Sequence, residues 1–568
     1  MKKFRWQLLI ILVTGLIVGI LLIIQQMDDN NGVESTPAPQ TGGIYTEALV
    51  GEFMRLNPFL DTYNEPDKAV DQLIFNSLIH FDSSGIPQAE LAESWGVSKD
   101  GTVYNFSLRT NVFWHDGEVF DSSDVLFTIG LLQSGNGLIP EDLRNLWSEV
   151  KVVVLSDSQI QFLLPEPFSP FLDYLAFGIL PEHILGGLDM EEIVDHSFNL
   201  TPIGTGPFKF QRLLVDNSRI SGVVLEAFDD YFLDRPFLDQ FIFRYYTSSE
   251  EAMRAFQDGE VEGFGEVDSS ILSEVLSETG LAVYTSRKPI MTMLYLNLEN
   301  PEIGFVEDAE FRRAMMASIN RNKIIEQAFN GQAVPANGPI LPGNWAYYNE
   351  LEQTDYDPVQ AKTLFDSTGA VYSEEDALFV TESGLPISIT LLHPDTTLHS
   401  IIAELIKDDW ETLGIDVTLD SQPYEDVLLA LEERNYQSAL VEINFSESPD
   451  PDPYPFWAQA ELKSGQNFSE WDNRSASEFL EQARMTVDLS ERIRLYRNFQ
   501  VLFMRELPSF PLFYPVYTYA LTEDINGVSF GPLLEPSDRF NNVHTWYILS
   551  SRDESPVSTM DVINTPEE

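Results

Sequence analysis

Residues 387–443 read ISITLLHPDTTLHSIIAELIKDDWETLGIDVTLDSQPYEDVLLALEERNYQSALVEI. Two periods alternate along this stretch. Ile387, Ile389 and Leu391 recur every second residue, the period of a strand with one buried face. Ile401, Ile402, Leu405, Ile406 and Leu413 then fall on one helical face. Ile415, Val417 and Leu419 return to period two, 424–431 suits a second helix, and 439–443 reads as a third strand. Strand–helix–strand–helix–strand is the order of parallel pairing through right-handed crossovers, so this part of the chain is an α/β unit.

Outward from there the chain mixes both element types. The runs 150–155 and 159–164 are rich in β-branched residues and separated by Ser156, Asp157 and Ser158, which predicts a hairpin. The segment 311–329 carries Phe311, Met315, Ile319, Asn322, Ile325 and Phe329 at helical spacing, with Arg312, Arg313 and Arg321 off that face. A long helix is expected over 477–507, where Asp488, with Glu491 three residues on, offers a cap for a restart.

The 568 residues suffice for two to four domains. Ninety acidic residues against 33 basic ones give a net charge of −57. Such a surface neutralises no phosphates, which argues against nucleic acid and against docking of the folded body on anionic lipid. There is no cysteine, so disulfides, Cys-zinc sites, Cys nucleophiles and a lipid-bearing Cys are all excluded. Lys2, Lys3 and Arg5 precede an uncharged apolar run from Leu8 to Ile24, and Asp28 and Asp29 follow it. That asymmetry predicts an uncleaved signal anchor over 1–27, with the body on the extracytoplasmic side of the cell membrane. Residues 28–40 read as a linker, and the acidic tail 551–568 as disordered.

Motifs with catalytic chemistry are missing. The sequence has no GxxxxGK[ST] loop, no GxSxG elbow and no HExxH. His393 and His399 are six apart, which fits no metal-ligand spacing. Gly204–Thr205–Gly206 and Gly263–Phe264–Gly265 do not complete a dinucleotide fingerprint. No catalytic residue, metal or cofactor is expected, and the weight shifts to a binding protein.

Several segments then fall into a known order. They are RLNPFLD from Arg55, ELAESWGVSKDGTVYNFSLR from Glu90, FWHDGEVFDSSDVLF from Phe113, and TPIGTGPFKF from Thr201. YLNLENP and FRRAMMASINRNKIIEQAFNGQA follow between 295 and 333, then Trp410 to Leu419, Arg492 to Tyr496 and Pro508 to Tyr514. This series resembles the family 5 extracellular solute-binding proteins of ABC importers, the group of oligopeptide-, dipeptide- and nickel-binding proteins. Within it, Trp95, Phe106, Leu108 and Phe113 are read as core. His115, Asp116 and Gly117 are read as a turn, and Gly204 to Pro207 as a strand lead-in that excludes side chains.

The resemblance implies an α/β, class II periplasmic-binding-protein-like fold of the three-domain, cluster C type: two lobes with an extra inserted domain. Domain I would comprise 41–75, 200–295 and 516–550, domain II 76–199 and domain III 296–515. Two linking strands would act as a hinge, closing the lobes on an unaltered solute. A monomer is implied, with ABC permease subunits and their cytoplasmic ATPase as partners. The amine-binding position of peptide-binding members falls in INFSESPDPDPYPFW, from Ile443. The register places Ser446 or Glu447 there, and Ile443 or Asn444 where the family has tryptophan. The candidate ligand contacts are Glu447, Asp450, Phe445, Tyr454, Trp457 and Trp471, with Phe53 and Asn57 opposite. A peptide or similar elongated solute is expected. A sugar is the alternative, because aromatic platforms beside carboxylates suit glycans, and an extracytoplasmic sensor without transport is a further one.

Overall fold

The computed structural model describes residues 39–134, 138–374, 377–381, 384–446 and 449–549. The expected anchor at 1–27, most of the linker, the acidic tail and Glu447 lie outside the described residues. Among the described residues no helix is long and apolar enough to cross a membrane.

Twelve strands join in one hydrogen-bonded array whose two halves meet in a single long strand, Ser509–Thr522. Its first part pairs with Ile290–Leu296 and Ala333–Pro335. Beyond these lie Ser438–Asn444, Ser388–Pro394 and, at the edge, Asp416–Gln422. The three strands read from residues 387–443 are therefore all present, and Ser388–Pro394 pairs in parallel with both of the others. The last part of the long strand pairs with Leu281–Arg287 and Gly263–Phe264. From there the array runs through Ile44–Val50, Gln240–Tyr246 and Arg219–Ala227 to Phe208–Asp216. A separate four-stranded antiparallel sheet contains the expected hairpin, Lys151–Ser156 with Gln159–Leu163.

Two large hydrophobic cores flank the long strand, and each defines a lobe. Phe510, Leu512, Phe513 and Tyr514 enter the core that holds Met293, Ile324, Leu391, Ile402, Trp410 and Phe503. Tyr517, Tyr519 and Leu521 enter the other, with Tyr45, Leu73, Phe106, Trp114, Phe162 and Phe241. Between them Pro515 and Val516 are only half-buried, because neither core covers them. One strand is thus shared by two interiors.

Local chemistry sets the helix ends. Thr396 caps Thr397–Leu413 by accepting the His399 amide, and Gly414 ends it in a left-handed conformation. Asp488 accepts the Glu491 amide at 2.9 Å and starts Leu489–Glu506 as a new helix after Arg474–Met485. Glycine is obligatory at 204 and 206. A Cβ on either would collide with backbone carbonyl oxygens of Leu73 and Ile74. His115 fastens the same loop. Its Nδ1 accepts the Gly204 amide at 3.2 Å while Nε2 lies 3.0 Å from the Gly206 carbonyl, which assigns the neutral Nε2–H tautomer. Burial pushes this imidazole down to about 4, in keeping with that state.

Three readings need correction. Ile401 is exposed, while Ile402, Leu405, Ile406 and Leu413 are buried, so the core face is narrower than the pattern implied. Phe113 is 39% exposed and Trp114 is fully buried, because the alternation in this segment runs one residue out of step with the reading. The segment 311–329 is two helices, Ala309–Ser318 and Arg321–Phe329, since Asn320 turns its side chain onto the Lys323 amide and caps a second start. Arg312 and Arg321 are buried there rather than solvated. Arg312 donates to the carbonyls of Val306, Glu307, Glu506 and Leu507, the spent ends of two other helices.

Candidate functional site

The chain passes between the lobes twice, at 287–289 and at 515–516. Each crossing carries a proline, Pro289 and Pro515, which has no N–H to give to a ladder. The Lys288 amide donates to the Pro515 carbonyl at 2.8 Å and the Phe445 amide to the Pro289 carbonyl at 2.7 Å. The two crossings are therefore bonded to each other and to the strand beside them.

A pocket lies against these crossings. Arg287, Lys288 and Pro289 form its base. The second lobe contributes Leu341, Pro342, Asn344, Phe445 and Pro451, and the first lobe Ser83, Ser84, Leu533 and Leu534. Among the described residues its lining holds two cations and no carboxylate, against a chain of net charge −57. Arg287 donates from Nη2 to the Pro342 carbonyl at 2.8 Å, and Lys288 Nζ lies 2.6 Å from Glu266. The pocket's volume is about 30 Å³. The lobes meet at its mouth, where the Trp345 amide donates to the Ser84 carbonyl at 2.8 Å. A Cβ on Gly85 would lie 2.5 Å from the Pro449 carbonyl oxygen, so only glycine permits this approach.

Of the residues singled out in the sequence, Phe445 lies on this wall. Tyr454 lies farther along the same loop, its ring under the Arg484 guanidinium at 3.9 Å. Asp450 is buried and pairs with Arg492 at 2.6 Å, and the Tyr496 hydroxyl adds a bond at 3.3 Å. Burial opposes the charge on Arg492, but Asp450 outweighs it and holds the guanidinium protonated. Trp457 is 1% exposed, packed between Tyr295 and Phe503 in the second core. Trp471 is buried beside Phe503, and its Nε1 donates to Glu506 at 3.0 Å. Across the seam Phe53 packs edge-on to Tyr245. Asn57 is fully buried, donating to Asn199 at 3.0 Å and accepting the Phe59 amide. The structure thus brings Phe445 to the pocket and places Trp457, Trp471 and Asn57 in packed interiors. The resemblance implied two linking strands without assigning them residues. Their signal was the pair of prolines at junctions between apolar strand runs.

Comparison with known proteins bears on this arrangement. The pattern of the bacterial extracellular solute-binding proteins, family 5 (middle) matches residues 87–466. The dipeptide-binding protein of Escherichia coli (strain K12) is 25% identical over 503 residues, 84% of this chain and 90% of the relative. The oligopeptide-binding protein AppA of Bacillus subtilis (strain 168) is 23% identical over 529 residues, 92% and 94% of the two chains. Among solved structures, HbpA2 from Haemophilus parasuis superposes with a TM-score of 0.78 at 20% identity, over 89% of this chain and all of that one. AppA from Bacillus subtilis in complex with a nonapeptide gives 0.65 at 22%, over 90% of this chain and all of that one. With two-thirds of its length under the family pattern and an α/β architecture common to these structures, the chain belongs to the family 5 bacterial extracellular solute-binding proteins.

Proposed function

We propose that this protein captures a peptide or similar elongated solute between its lobes and hands it to an ABC permease driven by a cytoplasmic ATPase. As a family 5 member it is a binding component of transport and not an enzyme. The observation that carries the proposal is the pocket seated on two proline-marked chain crossings. On this reading solute entry and release require the lobes to part. Closure is then stabilised by a ligand that touches both lobes and binds the closed state better than the open one.

On this reading domain III begins at the crossing near 289, ahead of the boundary at 296 drawn from sequence. Phe445 and the Arg287–Pro289 segment form one wall of the site, and Glu447 is the candidate for a peptide's α-amino group by its place in the chain. The segment 1–27 would tether the body to the membrane. The glycan alternative relied on aromatic platforms beside carboxylates; two of the candidate rings, Trp457 and Trp471, are packed in a core, which supports the peptide reading.

Native mass spectrometry of the purified protein tests this. The expected result is a co-purified series of peptide masses, displaced by added peptide and weakened in Glu447→Gln. A bound glycan with no affinity for any peptide overturns the proposal.

A further inference from the structure

We propose that Asp173 is a proton-linked latch between the lobes: it fastens the short helix Ser169–Leu175 of the first lobe to the Asp450 loop of the second, and holds best in its neutral form. The inference rests on the two-lobe closure proposed above, and adds a residue that governs it.

This helix meets the second lobe at three points. Ser169 Oγ donates to the Thr486 carbonyl at 2.6 Å. Asp173 Oδ2 accepts the Asp450 amide at 2.9 Å. The Phe168 ring lies under the Arg484 guanidinium at 5.6 Å. Together they make a rim contact that is not part of the crossings or of the pocket.

The charges around Asp173 do not balance. Asp450 and Asp452 face it from the loop, Arg484 from Arg474–Met485, and Arg492 and Tyr496 from Leu489–Glu506. On its own side Tyr104, on Val103–Leu108, donates to the Phe168 carbonyl at 3.1 Å. Both guanidiniums are committed elsewhere. Arg492 pairs with Asp450 at 2.6 Å and Arg484 with Asp452 at 2.7 Å. Three carboxyls thus share two cations: Asp450 and Asp452 each take a guanidinium, and Asp173 meets a backbone amide across the seam. Burial first, and then the Asp450 charge, push its carboxyl well above the ordinary 3.8. The Asp450 amide and Arg492 pull the other way without offsetting this.

The sign of the linkage follows. With the lobes parted, Asp173 faces water and ionises as an ordinary carboxyl. With the lobes closed it keeps its proton to higher pH. Closure therefore takes up a proton, and the closed-to-open ratio rises as pH falls, by at most about tenfold per pH unit for one group. A solute that drives closure is in turn held more tightly at lower pH.

The chain has no cysteine, so two introduced thiols label cleanly. Asp157→Cys on the first lobe and Glu404→Cys on the second are both exposed. In the full-length chain carrying a fluorophore pair there, the short-distance population is expected to be several-fold larger at pH 5 than at pH 8. Asp173→Asn, a fixed neutral mimic, should stay short at both values. Asp173→Ala should lose the pH response and shift toward the long distance, and it serves as the second variant should Asp173→Asn fold poorly. Equal populations at pH 5 and pH 8 in the parent, or a parent-like pH response in either variant, overturn the latch. A tripeptide mixture added at pH 8 separates the two proposals. Shortening with peptide but not with acid sinks the latch alone, and no shortening with either sinks two-lobe closure as well.

Discussion

The lobes touch in two regions of opposite make. At the crossings the contact is covalent chain, two prolines and a few backbone bonds beside a pocket with apolar walls. At the rim it is three polar contacts with no chain passing across: the Asp450 amide on Asp173, Ser169 Oγ on the Thr486 carbonyl, and the Arg484 guanidinium over the Phe168 ring. The Asp450–Arg492 and Asp452–Arg484 pairs lie within the second lobe and brace its side of the rim. The first region stays joined however far the lobes swing, because bending costs only backbone torsion. The second must come apart completely, and exposes charge to water when it does. Polar contacts suit that role, since the hydration each group recovers on opening offsets most of the bond lost. On the proposed closure, a bending seam and a breaking seam would together make a clamp.

The largest expected effect lies at the rim's support. Arg492→Ala leaves Asp450 buried without its cation and should cost about 3–5 kcal/mol of stability in a urea titration. Replacing both residues by leucine should cost far less. If the single and double changes cost the same, the pair is not what holds this loop. Trp457→Ala should lose about 3–5 kcal/mol as a core truncation while each folded molecule keeps its peptide affinity. Phe445→Leu should do the reverse, costing under about 1.5 kcal/mol with a measurable fall in affinity. An affinity loss confined to Trp457→Ala would return that residue to the site.

A third test keeps the rim's pH response apart from titration elsewhere in the first lobe. Asp61, Asp67 and Asp71 are buried together, and burial raises all three, Asp67 to about 6. The native state then holds more protons than the unfolded chain between about 4 and 6, so this cluster loses stability as pH rises through that window. His115, lowered to about 4, acts in the opposite sense over the same range. Asp71→Asn should therefore flatten the falling component and stabilise the protein at pH 8, measured as the difference in melting temperature from the parent. No gain at pH 8 would remove the cluster from the account. The smallest effect belongs to the bending seam. Pro515→Ala should cost about 0.4–1 kcal/mol through the unfolded chain, and mainly speed the interchange of lobe distances. A large destabilisation there would mean that the crossing is packed core and not a pivot.

Much of the fold was legible along the chain because its signals are local. Period two and period 3.6 placed the strands and helices of 387–443 within a few residues, and Asp488 with Glu491 marked a true helix start. The failures are also local in origin. The burial of Arg312 and Arg321 was not legible because their partners are backbone carbonyls of distant segments, which no side-chain pattern announces. Phe113 and Trp114 differ in burial by one step of register, and both are aromatic. Trp457 and Trp471 stood in an acidic, proline-rich neighbourhood that suited a pocket wall, and only their packing on Phe503 placed them in a core.

By itself, then, the order of apolar and polar residues determined the α/β class, because period is written in spacing, and a series of ordered motifs carried the resemblance to the family. Tertiary structure alone decided which aromatics face the seam, where the chain crosses between the lobes, and that an aspartate at 173 meets a loop at 450. Those facts depend on residues hundreds of positions apart arriving in one place, and on how much water is left around them when they do.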